Sequence, residues 1–144
     1  RALPEPAAPT ANFDRPLAGI SILVAEDDAV NRMVLEHYLL ENGAQVLTVV
    51  NGREAVDCVL HHGGKAWDIV LMDLQMPEMD GYEATRRIRE LAPDLPVVSQ
   101  TAHVLDDDRE KCFAAGMAGY LAKPIDAEEL VTLVRQLVDA RRHR

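Results

Sequence analysis

Five short apolar runs punctuate this chain, and between them lie longer stretches in which apolar residues recur at i, i+3 and i+4. A short continuous apolar run suits a fully buried strand, whereas the wider spacing marks one face of a helix. Regular alternation of the two is the signature of consecutive βα units, which build a parallel sheet covered by helices on both faces. The strands are predicted at Ile20 to Ala25, Ala44 to Val50, Asp68 to Met72, Leu95 to Gln100 and Gly119 to Ala122. Most are continuously apolar, as strands shielded on both sides should be.

The intervening helices carry their own punctuation. Val30, Met33, Val34 and Tyr38 form one predicted stripe, ended by Asn42 and Gly43. Ala55, Val56, Val59 and Leu60 form a second, opened by Asn51 with Glu54 three residues on, as in a capping box. Ala84, Ile88 and Leu91 mark a third, stopped by Pro93, and Leu105, Cys112 and Phe113 a fourth, stopped by Gly116. The last is the clearest, with Asp126 as cap, Glu129 able to close the box, and Leu130, Leu133, Val134, Leu137 and Val138 along one face. Residues 1–18 hold four prolines and no periodicity, the composition of a disordered linker. The folded domain is therefore set at 19–140, with 141–144 a frayed basic tail.

At 144 residues and 48% hydrophobic, the chain supports one compact domain with a real core. Its formal net charge of −9 favours cations or basic surfaces as partners and disfavours nucleic acid. No apolar run reaches the length of a membrane span, so contact of this domain with a membrane is not expected. Cys58 and Cys112 both fall inside helical patterns, which suits free thiols in a reducing, cytoplasmic compartment.

Polar residues interrupt the apolar runs at one kind of place. Glu26 and Asp27 follow the first strand, Asp73 the third, Thr101 the fourth and Lys123 the fifth. All are carboxyl ends, and in an open parallel sheet those ends share one edge where ligands bind. Three carboxylates in one crevice repel each other unless a cation sits among them. Oxygen donors from Glu26, Asp27, Asp73 and a backbone carbonyl suit a hard octahedral ion such as Mg²⁺, with Mn²⁺ as its substitute. Beside such a metal and the Lys123 ammonium, an Asp73 oxygen can attack phosphorus while the positive charges neutralise the transferring oxygens. The Thr101 hydroxyl can donate to the same group.

The runs Ile22-Leu-Val-Ala-Glu-Asp-Asp-Ala-Val-Asn31 and Asp68-Ile-Val-Leu-Met-Asp-Leu-Gln-Met-Pro-Glu-Met-Asp-Gly81, with Thr101-Ala102 and Tyr120-Leu-Ala-Lys-Pro124, resemble the receiver domain of two-component response regulators. Four motifs in order make the resemblance specific, and it covers about Ile20 to Val138. It implies a flavodoxin-like (βα)5 doubly wound fold, with strand order 2-1-3-4-5. It also implies that Asp73 is the phosphoacceptor, Glu26 and Asp27 the acidic pair, and the Gln75 carbonyl a further metal ligand. Thr101 and Tyr120 become the switch pair, Lys123 the phosphoryl contact, and a cis peptide is expected before Pro124. Tyr82-Glu-Ala-Thr85, Thr101-Ala-His103 and Asp108-Arg-Glu-Lys-Cys112 are most similar to receivers of hybrid sensor histidine kinases.

That implies a phosphohistidine donor in the kinase core of the same polypeptide, which can itself be membrane-anchored, and a histidine-phosphotransfer domain as recipient. A homodimer through the fourth and fifth helices is also compatible with the family. Ser99 and Gln100 depart from the apolar character usual on the fourth strand. Such a module catalyses its own phosphorylation, so whether it counts as an enzyme is a matter of definition.

Blander readings stand for several residues. Asp28 is expected to cap the first helix, Asp80 and Gly81 to form a turn, and Asp106 to Asp108 to favour a helix N-terminus. His37, His61, His62 and His103 lack metal spacing, though His103 follows Thr101 closely enough to influence hydrolysis. Haloacid-dehalogenase-type phosphatases share the strand-end Asp, Mg²⁺, Thr or Ser and Lys, but place a second Asp where Gln75 stands, which disfavours them. A binding module that has lost phosphorylation is opposed by the intact Glu26, Asp27, Asp73, Thr101 and Lys123. A stand-alone or DNA-binding response regulator would carry the same receiver residues in a different polypeptide context.

Overall fold

The computed structural model describes residues 15–101 and 106–143, with 106–108 as backbone alone. Residues 1–14, His103, Leu105, the Asp106 to Asp108 side chains and Arg144 lie outside the described residues. Five strands appear: β1 Ser21–Ala25, β2 Gln45–Val49, β3 Ile69–Asp73, β4 Val97–Thr101 and β5 Gly119–Ala122. The helices are α1 Ala29–Glu41, α2 Gly52–His62, α3 Gly81–Leu91, α4 Asp106–Ala114 and α5 Ala127–Arg142. A single turn of 3₁₀ helix, Gly64–Ala66, precedes β3. All strand pairs are parallel and the order is β2-β1-β3-β4-β5, as expected.

Period-two alternation sorts the strand side chains onto two cores. Ile22, Val24, Ile69, Leu71, Val98 and Leu121 face Leu35 and Leu39 of α1 and Leu130, Val134 and Val138 of α5. Leu23, Ala25, Val70, Met72 and Val97 face Ala55, Val56 and Val59 of α2, Ala84 and Ile88 of α3, and Cys112 of α4. Helices on both faces are what parallel βαβ crossovers produce, and they explain why β3 is buried along its whole length.

Sequence expectations about packing need correction on four helices. On α1 the buried residues are Leu35 and Leu39, while Val30 and Met33 are both 64% exposed. More than half of that helix's circumference is apolar, so spacing alone picks out more than one stripe. Leu60, Leu91 and Phe113 likewise lie on exposed faces.

The linker boundary also moves. Leu17 is fully buried among Ile20, Leu35 and Leu39, and its N–H donates to the Asn42 carbonyl at 2.8 Å. One leucine and its backbone bond thus tie the end of the proline-rich stretch to the fold. At the other end α5 continues through Arg142, so Arg141 and Arg142 are not frayed. Arg141 donates to the Trp67 carbonyl at 2.7 Å, and Arg142 pairs with Asp68 at 3.3 Å. Cys58 and Cys112 are free.

Candidate functional site

The carboxyl ends of β1, β3 and β5 converge on one cluster of charge. Carboxylate oxygens of Glu26, Asp27 and Asp73 all lie within 4.8 Å of one another. Lys123, just beyond β5, places Nζ 3.0 Å from Glu26 Oε1 and 3.3 Å from Asp73 Oδ1. The peptide bond from Lys123 to Pro124 is cis, and the Lys123 N–H donates to the Thr101 carbonyl at 2.8 Å. The lysine is therefore carried on backbone fixed to the end of the neighbouring strand.

Glu26 is fully buried, Asp73 nearly so, and Asp27 exposed. Burial pushes the Glu26 carboxyl up to about 7; the Asp28 backbone N–H and Lys123 act against that rise, and Asp73 adds to it. Burial acts to lower the Lys123 ammonium, but Glu26 and Asp73 outweigh it and hold the group above the ordinary lysine value. One ammonium thus faces two buried carboxylates, with a third at the mouth. Glu26 Oε1 meets Lys123 at ion-pair distance but off the direction of a hydrogen bond, which leaves this buried oxygen a lone pair to offer. An all-oxygen donor set short of positive charge fits a hard divalent cation.

The surrounding backbone holds this arrangement. Asp28 caps α1, accepting from the Val30 and Asn31 N–H groups, and its own N–H donates to Glu26 Oε2 at 3.1 Å. Asp28 is thus the cap it was expected to be, with an added hold on the acidic pair. Behind Asp73, a Cβ on Gly81 would collide with the Asp73 carbonyl oxygen, so only glycine lets the start of α3 approach so closely. Asp80, expected only as a turn residue before this helix, also caps α3 through the Glu83 N–H. In the loop between, Glu78 holds φ of +67°, costly for a residue with a side chain, and accepts from Asn51 at 3.1 Å.

Thr101 ends β4, one residue past the partner of Asp73, and is 8% exposed. Tyr120 is half-buried on β5, registered against Ser99, with Arg109 of α4 stacked 5.1 Å from its ring centre. Gln75 is exposed on the loop two residues after Asp73. Lys123 joins Glu26 and Asp73 directly, and the Asp27 carboxylate lies within 4.8 Å of theirs; register brings Thr101 to the same edge; Tyr120 stands one strand away.

Sequence reasoning passed over Arg32, Arg109 and the Asn51–Glu78 bond. Arg32 Nη1 donates to the Glu26 carbonyl at 2.9 Å and the Asp27 carbonyl at 3.3 Å, locking the backbone that aims both carboxylates. A cation in the first turns of the helix following an acidic pair was the available signal. Nothing local marks the other two, which depend on tertiary approach.

The family model described as the response regulator receiver domain matches residues 22–135. The chain belongs to that family. It is 37% identical over 142 residues to the Probable histidine kinase 6 of Oryza sativa subsp. japonica, covering 85% of this chain and 14% of that protein. Histidine kinase 1 of Arabidopsis thaliana is 36% identical over 155 residues, covering 84% of this chain and 13% of that protein. The chain thus spans about a seventh of these relatives. Among solved structures, the receiver domain of a sensor histidine kinase from Pseudomonas aeruginosa PAO1, with a magnesium ion in its active site cleft, is 39% identical. It superposes with a TM-score of 0.74, covering 85% of this chain and 99% of that one.

Proposed function

We propose that this receiver takes a phosphoryl group from a phosphohistidine onto Asp73 in a Mg²⁺-dependent step, as a relay or switch in two-component signalling. The observation carrying this reading is the meeting of Asp73 with Glu26, Asp27 and Lys123 at one strand edge. Glu26, Asp27, Asp73 and the Gln75 carbonyl would hold the ion, which supplies positive charge opposite the phosphoryl oxygens.

The step balances simply. An Asp73 carboxylate oxygen bonds to phosphorus as the phosphorus–nitrogen bond of the donor imidazole breaks, and the electron pair returns to that nitrogen. Lys123 neutralises the acceptor carboxylate and then the transferred group, and the Thr101 hydroxyl donates to a phosphoryl oxygen. The donor is the phosphohistidine of a histidine kinase and the recipient a histidine-phosphotransfer domain, a reading supported by the kinases that the chain resembles over part of their length. Acetyl phosphate with Mg²⁺ is expected to add one phosphoryl group by intact mass. Equal labelling of Asp73→Asn would move the acceptor elsewhere.

A further inference from the structure

The loop between β3 and α3 contains a turn that its residues do not favour. The Met79 N–H donates to the Pro77 carbonyl at 2.7 Å across Glu78, whose φ is +67°. A three-residue turn closed in that way, with a positive φ at its centre, is rare and strained, and glycine enters it most easily. Among the described residues, Glu78 is the one non-glycine residue with a positive φ. A side chain kept where glycine would be less costly points to a use for that side chain.

The Glu78 carboxylate meets a fixed partner. Its Oε2 accepts from Asn51 Nδ2 at 3.1 Å. Asn51 is 6% exposed and both ends of its carboxamide are taken, since its Oδ1 accepts from the Glu54 N–H at 2.8 Å as the cap of α2. Glu54 in turn accepts from the Val50 N–H at 3.0 Å, which ties the chain on either side of Asn51. The same helix start presses on the loop a second time: a Cβ on Gly52 would stand 2.5 Å from the Met79 carbonyl oxygen. The first turn of α2 is thus a fixed wall against which the loop is held.

The held stretch is an arch that leaves Asp73 and returns to α3. Leu74 and Met79 are buried at its two feet, and the Gly81 N–H donates to the Leu74 carbonyl at 3.0 Å. Met76 packs half-buried against the core, whereas Gln75, Pro77 and Glu78 are exposed. The Asn51 bond therefore reaches the arch from another element, at its exposed part. We propose that Asn51 and Glu78 are positioning residues for the cation, their bond fixing the arch that carries the Gln75 carbonyl. Neither is a ligand. The proposal rests on reading the acidic cluster as a cation site with the Gln75 carbonyl among its ligands, and it gives that site a support outside the strand ends. An ion as small as Mg²⁺ demands near-ideal ligand geometry, so an arch free to swing would bind it less tightly.

Exchanging the acid and the amide tests this, because Asn51→Asp combined with Glu78→Gln rebuilds the bond with donor and acceptor reversed. In Asn51→Asp alone, a carboxylate still caps α2 but faces the Glu78 carboxylate, and the bond is lost. In Glu78→Gln alone, the side chain still accepts from Asn51. Mg²⁺ binding to the full chain is measured by calorimetry, exchange of the Met79 N–H by NMR without metal, and folding of each variant by denaturant titration. Asn51→Asp is expected to weaken Mg²⁺ binding at least about threefold and to speed Met79 exchange, with Glu78→Gln and the double variant within about twofold of wild type in both. Charge alone predicts the opposite for Asn51→Asp, since an added carboxylate attracts the cation. Affinity in Asn51→Asp equal to or tighter than wild type, or a double variant as weak as Asn51→Asp, would overturn the proposal. Failure of the wild type itself to bind Mg²⁺ would overturn the cation reading and the proposal with it.

Discussion

Asp73, Glu26 and Asp27 differ less in chemistry than in surroundings, and the surroundings favour the different roles proposed for them. Asp73 ends a wholly buried strand and faces the Lys123 ammonium, while Asp27 stands in water at the mouth of the cluster. Asp27→Ala should therefore lose most Mg²⁺ affinity in a calorimetric titration yet fold normally, since it removes an exposed side chain. Lys123→Met is expected to slow phosphorylation by acetyl phosphate at least about tenfold, because Asp73, the proposed acceptor, loses the charge that offsets its negative neighbours. Mg²⁺ binding in that variant should survive; loss of both together would mean that the lysine organises the site rather than serving the transfer. Arg32→Ala touches no carboxylate but frees the Glu26 and Asp27 carbonyls, so Mg²⁺ affinity should fall several-fold. Unchanged affinity would make that pair of hydrogen bonds incidental. All of Asp73, Glu26, Asp27, Lys123 and Thr101 were legible in the sequence, because strand-end polar residues stand out against apolar runs. Arg32 was passed over: its place in the first turns after the acidic pair is a signal, but an arginine on a helix looks the same whether it faces water or a carbonyl.

Among the elements, α1 shows where pattern reading stops. Its apolar residues occupy too much of the helix for spacing to choose a face, and the choice is made by what the sheet offers: Leu35 and Leu39 drop between Ile22, Val24 and Ile69. Leu39→Ala should cost about 2–5 kcal/mol in denaturant unfolding, whereas Met33→Ala, at 64% exposure, should stay within about 0.5 kcal/mol. The reverse order would restore the stripe expected from spacing. Helices α2 and α5 were placed correctly because Asn51 and Asp126, both read as caps, each accept from the N–H three residues on, a local bond that sequence can announce; Asp80 makes the same bond at α3 but was read only as a turn residue. The switch proposed for Thr101 and Tyr120 belongs to this scale too. Arg109 of α4 covers the Tyr120 ring of β5, so movement of that ring must break this contact or carry the Arg109 side chain with it. With beryllofluoride as phosphoryl mimic, NMR shifts at Tyr120 and along α5 should appear in wild type and vanish in Thr101→Ala. Persistence of the same shifts would route the signal around Thr101.

At the level of the whole molecule, strand order and the two-sided cover followed from alternation of apolar runs and helical stretches, because a parallel sheet has few other ways to close. The domain limits did not follow, since a single buried Leu17 and two arginine contacts carry no compositional signal. Those contacts have a geometric result. Arg142 Nη2 lies 3.1 Å from the Gly19 carbonyl, so the last helical turn and the entry to β1 touch at the pole opposite the acidic cluster. In topological terms the domain is a nearly closed ring of chain with its seam away from its working edge. Joining the two ends by a short glycine bridge and opening the ring elsewhere should preserve the fold, and with it the Mg²⁺ site. For the same reason the domain can be spliced into another polypeptide as a cassette, with both host strands leaving side by side.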